Sequence, residues 1–185
     1  MIPIITSNDL SIKTKLNLGS GINGAAAMTD ITFDQREWKN IDICPSYETH
    51  ECYDISKGIH EADNSIEEIW MGDFFEHILR ARSSFLLGEC YRVLKPHGRL
   101  RISVPDMELA MKKWLESDNI EQYDISSLIW GDQDEVNNKN VYPSCHLHGY
   151  TEKSLKALLV SVGFSNVARI SVNKMWFELA MEAYK

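Results

Sequence analysis

KLNLGSGING, residues 15–24, is the stretch from which the rest of the chain is read. Lys13 to Leu18 reads as a strand that runs straight into a glycine turn. Gly19 and Gly21 let the backbone approach a ligand closely just after that strand, at the carboxyl edge where open α/β sheets bind ligands. The next strand candidate, WKNIDI (38–43), carries Asp42 near its end. A carboxylate there can accept both hydroxyls of a ribose, so turn and acid together imply a nucleoside-bearing cofactor. Gly24 completes a G-x-G-x-x-G string, the dinucleotide signature. That version needs a helix opening directly from the loop to meet a pyrophosphate. In INGAAAMTDITFDQRE (22–37) only AAAM looks helical, which weakens the dinucleotide reading. A glycine turn without any ligand is the plain alternative.

Outward from this turn, strand and helix signals alternate, as in an α/β domain with a mainly parallel sheet. Glu51 to Ile55 reads as a short third strand and Ile66 to Met71 as a fourth. Leu79, Leu86, Cys90 and Val93 fall on one face of a helix that Pro96 and Gly98 terminate. Arg99 to Val104 alternates apolar and polar residues as a half-exposed strand does. Leu155, Leu158, Leu159 and Val162 mark a second amphipathic helix, with Thr151 as N-cap and Gly163 just past its end. Two strands finish the chain, VARISV (167–172) and MWFELAMEAY (175–184), joined by Asn173-Lys174 alone. So short a link joins only antiparallel neighbours.

The 185 residues suit one domain, 1–185. Nineteen basic against 27 acidic residues leave a net charge of −8, which discourages nucleic acid and anionic membrane as partners. The longest apolar run, ALLVSVGF (157–164), is far short of the roughly 20 residues a bilayer span needs. MIPIITSNDL has no basic region followed by an apolar run, and the four cysteines form no C-x-x-C pair. The expectation is a cytoplasmic protein with free thiols.

Seven segments in order extend the comparison: LNLGSG (16–21), WKNIDI (38–43), YDISKGI (53–59), ADNSIEEIW (62–70), FEHI (75–78), ECYRVLKPHGRLRISVPD (89–106) and YTEKSLKALLVSVGFSNV (150–167). Together they resemble class I S-adenosylmethionine-dependent methyltransferases, over about residues 13–184. The likeness is to the compact group with an EH dipeptide after strand four and an R-V-L-K-P-x-G turn before strand five. It implies a Rossmann-like α/β fold, a seven-stranded sheet of order 3-2-1-4-5-7-6 with strand seven antiparallel and helices on both faces. It also implies S-adenosylmethionine as cofactor. Gly19, Ser20 and Gly21 would lie against its methionine portion, and Asp42 with Ile43 would hold the ribose. Asp54 and the Ile55 backbone would face the adenine, and Met71 and Gly72 would flank the sulfonium. Asn17 stands where many members have an acid, His97 replaces a glycine, and residues 22–37 would form a loop over the cofactor.

An oxygen or nitrogen acceptor gains from a general base. His77, just after the cofactor-side turn, and His146 are the candidates, with His148 close by; each also fits a plain structural role. Cys145, His146 and His148 hint at a metal, but three ligands within four residues and no distant fourth make a thin case. No metal is expected. Asp73 and Asp106 lie at strand ends, where acids either reach substrate or cap the next helix. Residues 107–150, with Trp114, Tyr123, Trp130 and Tyr142 and the acidic stretch GDQDE (131–135), would be an insertion covering the acceptor site. The acceptor expected is a small molecule or glycan. A cofactor-binding module without transferase activity, with its acceptor cavity filled, is the second reading; a nicotinamide-dependent oxidoreductase is the third.

Overall fold

The computed structural model describes residues 13–21, 37–46, 49–116, 123–131, 145–171 and 177–185. The strands are β1 (Lys15–Leu18), β2 (Trp38–Asp42), β3 (Glu51–Cys52), β4 (Ile66–Gly72), β5 (Leu94–Pro105), β6 (Ser165–Ile170) and β7 (Glu178–Tyr184). Among them lie helices α1 (Arg80–Val93), α2 (Met107–Glu116), α3 (Tyr123–Trp130) and α4 (Glu152–Val162). They build one seven-stranded sheet, β3-β2-β1-β4-β5-β7-β6, which is the expected order. β1 to β5 pair in parallel, and β7 pairs antiparallel with both β5 and β6.

Central strands of such a sheet are covered on both faces, so their side chains are buried almost without alternation. Leu16, Asn17 and Leu18 of β1 are all buried, and Asn17 donates through Nδ2 to Asn40 Oδ1 on β2 at 3.1 Å. That bond accounts for an amide where an acid was looked for: Asn17 satisfies Asn40 inside the sheet. Leu86, Leu87, Cys90 and Val93 of α1 and Leu155 and Leu159 of α4 join the sheet residues in one core. A smaller cluster of Met107, Ala110 and Ile129, flanked by Trp114 and Ile125, holds α2 against α3.

The E-x-x-R spacing of the helix-to-strand turn has a mechanical reason. Arg92 pairs with Glu89 and donates to the carbonyls of Ile59 and Glu61, while Glu89 accepts from the Ile59 N–H. One half-buried helix end thus clamps the chain that leads into β4.

Local expectations shift in three places. Leu79, expected on the buried face of the helix, is the N-cap of α1 and is 59% exposed, because it precedes the first helical turn. The third strand ends at Cys52, since the Asp54 side chain caps a 3-10 turn over Ile55–Lys57 instead. The fifth strand begins at Leu94 rather than Arg99 and carries the KPHG turn within it, with His97 at φ 66°. Glycine takes that conformation freely, which explains its place in the family pattern. Thr151 and Gly163 cap α4 as expected, Thr151 within a capping box. The Asn173-Lys174 connection, Gly24, Tyr142 and the loop 22–36 lie outside the described residues. No described helix is long and apolar enough to cross a membrane.

Candidate functional site

The carboxyl ends of β1, β2 and β4 open into a cleft of about 310 Å³. Gly19 and Gly21 floor it with left-handed backbone, φ +68° and +62°, conformations that side-chain-bearing residues adopt only with strain. Gly19 has a second reason to lack a side chain: a Cβ there would lie 2.1 Å from the Phe74 ring. Beside Gly21 the same construction meets open space. Asp42 is fixed at the end of β2 by two backbone donors, the Gly21 N–H to Oδ2 and the Cys44 N–H to Oδ1, both at 2.8 Å. The remaining lone pairs of its carboxylate are available to a ligand in the cleft. Asp54 lines the far wall with Tyr53 and Ile55. Its Oδ1 is held by the Ser56 hydroxyl and N–H, and the hydroxyl is the main reason its carboxyl ionises below the ordinary range.

At the β4 side the wall is made by Asp73, Phe74, His77 and Ile78. The 3-10 turn Phe75–His77 is tied to the segment 145–148 by three hydrogen bonds. The Glu76 carbonyl accepts from the N–H groups of Leu147 (2.8 Å) and His148 (3.1 Å), and His77 Nδ1 meets the Cys145 carbonyl at 3.0 Å. A carbonyl only accepts, so His77 carries its proton on Nδ1 and keeps a lone pair on Nε2. His146 repeats the arrangement, with Nδ1 at 2.9 Å from the Leu128 carbonyl. The two imidazoles stand edge to face, 5.0 Å between centroids, and His146 Nε2 lies 4.0 Å from the Glu76 carboxylate. Burial pushes the pKa of both rings down, and for His146 the neighbouring His77 adds to the effect. Both are therefore neutral at pH 7, in the form that accepts a proton or binds a cation.

Beyond His146 a second, larger cavity of about 700 Å³ opens between α2, the end of α3 and the 146–151 segment. Its walls are mostly apolar, with Met107, Met111, Ile129, Trp130 and Leu147, and it carries polar groups at Glu108, His146 and His148. The histidine pair therefore stands between cleft and cavity, His77 lining the one and His146 the other.

This architecture is shared with solved structures. An S-adenosylmethionine-dependent methyltransferase of Archaeoglobus fulgidus superposes with a TM-score of 0.60 at 16% identity, over 92% of this chain and 85% of that one. One of Thermotoga maritima gives 0.56 at 13% identity, over 95% and 84%. The 1,6-didemethyltoxoflavin-N1-methyltransferase of Burkholderia thailandensis, solved with that compound and S-adenosylhomocysteine bound, gives 0.58 at 16% identity over 92% and 70%. The fold is that of the class I methyltransferases. No protein-family model and no curated protein sequence matches the chain.

On this methyltransferase fold the sequence-predicted residues separate into two groups. Gly19, Gly21, Asp42, Ile43, Asp54, Ile55 and His77 line one cleft, and His146 touches it through His77. Ser20 is buried and Met71 is fully buried in the sheet, and neither Met71 nor Gly72 lines the cleft. Both faces of β4 are covered here, Trp70 and Met71 alike being buried, and a Cβ on Gly72 would meet the Trp70 indole. One residue later the chain turns out of the sheet, with Asp73 at φ 47°, so Asp73 and Phe74 supply that wall. Asp106 is a structural acid: its Oδ1 accepts from the Leu109 N–H at the start of α2, and its Oδ2 pairs with Arg169 at 2.9 Å. Trp114 packs in the small core, whereas Trp130 is half-exposed on the cavity wall. Cys145, His146 and His148 do not converge, while Glu76, which sequence reasoning passed over, meets both His77 and His146. The signal for it was the EH dipeptide itself, read only for its histidine.

Proposed function

We propose that this protein transfers a methyl group from S-adenosylmethionine to an oxygen or nitrogen atom of a small molecule. The observation that carries the reading is the histidine pair: two imidazoles in edge-to-face contact, one lining a glycine-floored cleft with a ribose-suited acid and the other lining an open cavity. A nucleoside fits the cleft's donor set, with Asp42 toward the ribose hydroxyls and Asp54 with the Ile55 backbone toward the adenine edge. Gly19, Ser20 and Gly21 offer backbone to the methionine portion, and Asp73 and Phe74 take the place expected for Met71 and Gly72. When bound, S-adenosylmethionine supplies a sulfonium methyl group with a neutral thioether as leaving group.

The protein's own task is then to hold an acceptor in line, which by orientation alone lowers a barrier by about 7–11 kcal/mol. His77 and His146 activate the acceptor through their Nε2 lone pairs; acceptance of the acceptor's proton by one of them contributes about 10²–10⁴-fold. The apolar walls around Met111, Trp130 and Leu147 support a small molecule with a hydrophobic body over a glycan. In the same reading α2, the end of α3 and the segment 146–151 wall this acceptor site. The open cavity also favours an enzyme over a binding module whose cavity would be filled.

Thermal melting with S-adenosylmethionine, S-adenosylhomocysteine and NAD, each alone, tests the proposal. At about 100 times its Kd a ligand adds about 2.7 kcal/mol. For a domain of this size that raises Tm by roughly 5–10 °C. A rise with the two sulfur compounds and none with NAD is expected. No rise with either sulfur compound overturns the reading.

A further inference from the structure

Glu76, His77 and His146 each offer one ligand atom, and these atoms lie within 4.8 Å of one another. Three features set this cluster apart from a chance grouping of polar side chains. The carboxylate is buried, with Glu76 1% exposed, so it is not one of the solvated acids common on protein surfaces. Both imidazoles have Nδ1 committed to a backbone carbonyl, of Cys145 and of Leu128, which fixes each ring and leaves Nε2 to bind. That second contact is the usual support of a metal-ligating histidine. Finally, the ligands come from two chain segments that the Glu76 carbonyl fastens together through Leu147 and His148, so the grouping is built into the backbone.

We propose that Glu76, His77 and His146 bind a divalent first-row transition-metal ion. Two imidazole nitrogens and one carboxylate suit zinc, cobalt, manganese or iron, whereas magnesium and calcium favour all-oxygen surroundings. Around an ion with bonds of about 2.1 Å, tetrahedral ligand atoms sit about 3.4 Å apart. The 4.0 Å between His146 Nε2 and Glu76 Oε1 closes to that distance by small side-chain rotations. Three protein ligands leave a coordination position open, as catalytic sites do and structural ones do not. His77 lines the cleft and His146 lines the cavity, so an ion held between them would have its open position available to an acceptor oxygen or nitrogen. This assignment of the ion's role rests on the methyl-transfer reading; the binding itself does not. If bound, the ion would lower the acceptor atom's pKa, and the proton would pass to solvent water, since both Nε2 lone pairs would then be spent on the ion.

The test titrates Co2+ and Zn2+ separately into full-length protein treated with EDTA and desalted, followed by calorimetry and, for Co2+, by visible absorption. One ion per chain is expected, with a visible band of a low-coordinate cobalt site. His77→Ala, His146→Asn and Glu76→Gln each weaken binding at least about a hundredfold, whereas His97→Asn, on an exposed turn, leaves it unchanged. Circular dichroism and S-adenosylhomocysteine affinity are measured on every variant, so that a misfolded variant is replaced by the other substitutions in the set. Binding of S-adenosylhomocysteine without stoichiometric Co2+ or Zn2+ binding, or metal binding indifferent to all three substitutions, overturns the metal site and leaves the methyl-transfer reading standing. Metal binding without S-adenosylhomocysteine binding does the reverse.

Discussion

Gly19→Ala is the most demanding perturbation of the cleft, because two independent costs meet in one methyl group. The backbone at Gly19 has φ +68°, and placing a Cβ on a left-handed residue costs about 1–2 kcal/mol. The new Cβ would also lie 2.1 Å from Phe74 Cδ2, 2.2 Å from Cγ and 2.6 Å from Cβ. Rotation about χ1 removes the first two overlaps but cannot move the Phe74 Cβ, so the turn after β4 must shift as a whole. Overpacking of this kind costs about 1–3 kcal/mol. Together the two terms destabilise by about 2–5 kcal/mol, a fall in Tm of about 4–20 °C for a chain of this length. Urea denaturation of Gly19→Ala, alone and combined with Phe74→Ala or Phe74→Gly, separates the terms. Phe74→Ala relieves the ring overlap only, and Phe74→Gly also removes the Cβ. The cost of Gly19→Ala should therefore fall stepwise across the three backgrounds, ending at the backbone term of about 1–2 kcal/mol. Contacting residues normally couple by more than about 0.5 kcal/mol. Additive effects within that margin would refute the close approach of Phe74 to Gly19.

Three further outcomes are expected. Asp42→Ala should weaken S-adenosylhomocysteine binding at least tenfold by calorimetry, since the carboxylate proposed to hold the ribose is lost, while freeing only the Gly21 and Cys44 N–H groups and so keeping the fold by circular dichroism. Stability should fall as pH drops below about 6.5 toward 5: His77, His146 and His148 are all harder to protonate folded than unfolded, so the unfolded chain takes up more protons in that window. Replacing His77 and His146 by Asn should flatten that fall in urea titrations across the pH range. Arg92→Met should destabilise by about 2 kcal/mol, because the Ile59 and Glu61 carbonyls and Glu89 lose their shared charged donor; Arg92→Lys should recover little of it in the same assay, having no fork to span them.

Most strands and the antiparallel end of the sheet were legible because their signals are local, while the strand order was legible only through the resemblance of the seven segments. A glycine turn, a strand-end acid and one capped helix each depend on a few neighbouring residues, and the two-residue link before MWFELAMEAY demanded an antiparallel end. β6 and β7 do pair that way, although the link itself lies outside the described residues. What local pattern could not resolve was the exit from β4. There the expected ligand contacts, Met71 and Gly72, belong to the strand, and Met71 is buried in a sheet covered on both faces. The chain leaves the sheet only at Asp73, through a left-handed residue that an aspartate signals weakly.

The histidines show the same boundary from the other side. HLH (146–148) puts two rings close in sequence, and close spacing suggested a shared ligand. In the fold the backbone N–H groups of Leu147 and His148 are both spent on one carbonyl, that of Glu76, and this turns His146 toward Glu76 and His77 while His148 packs on Tyr150. A residue 70 positions away, and not the neighbour two positions along, becomes the partner that matters. The chemistry of His146 is thus set by a main-chain hydrogen bond, which carries no side-chain signature in the sequence. A substitution that leaves every titratable group intact but loosens this junction, such as Gly149→Ala with its Cβ 2.6 Å from Met107 Cγ, should separate His146 from His77. Such a variant would keep its cleft and lose the acceptor chemistry, which distinguishes a site made by three side chains from one made by the backbone that gathers them.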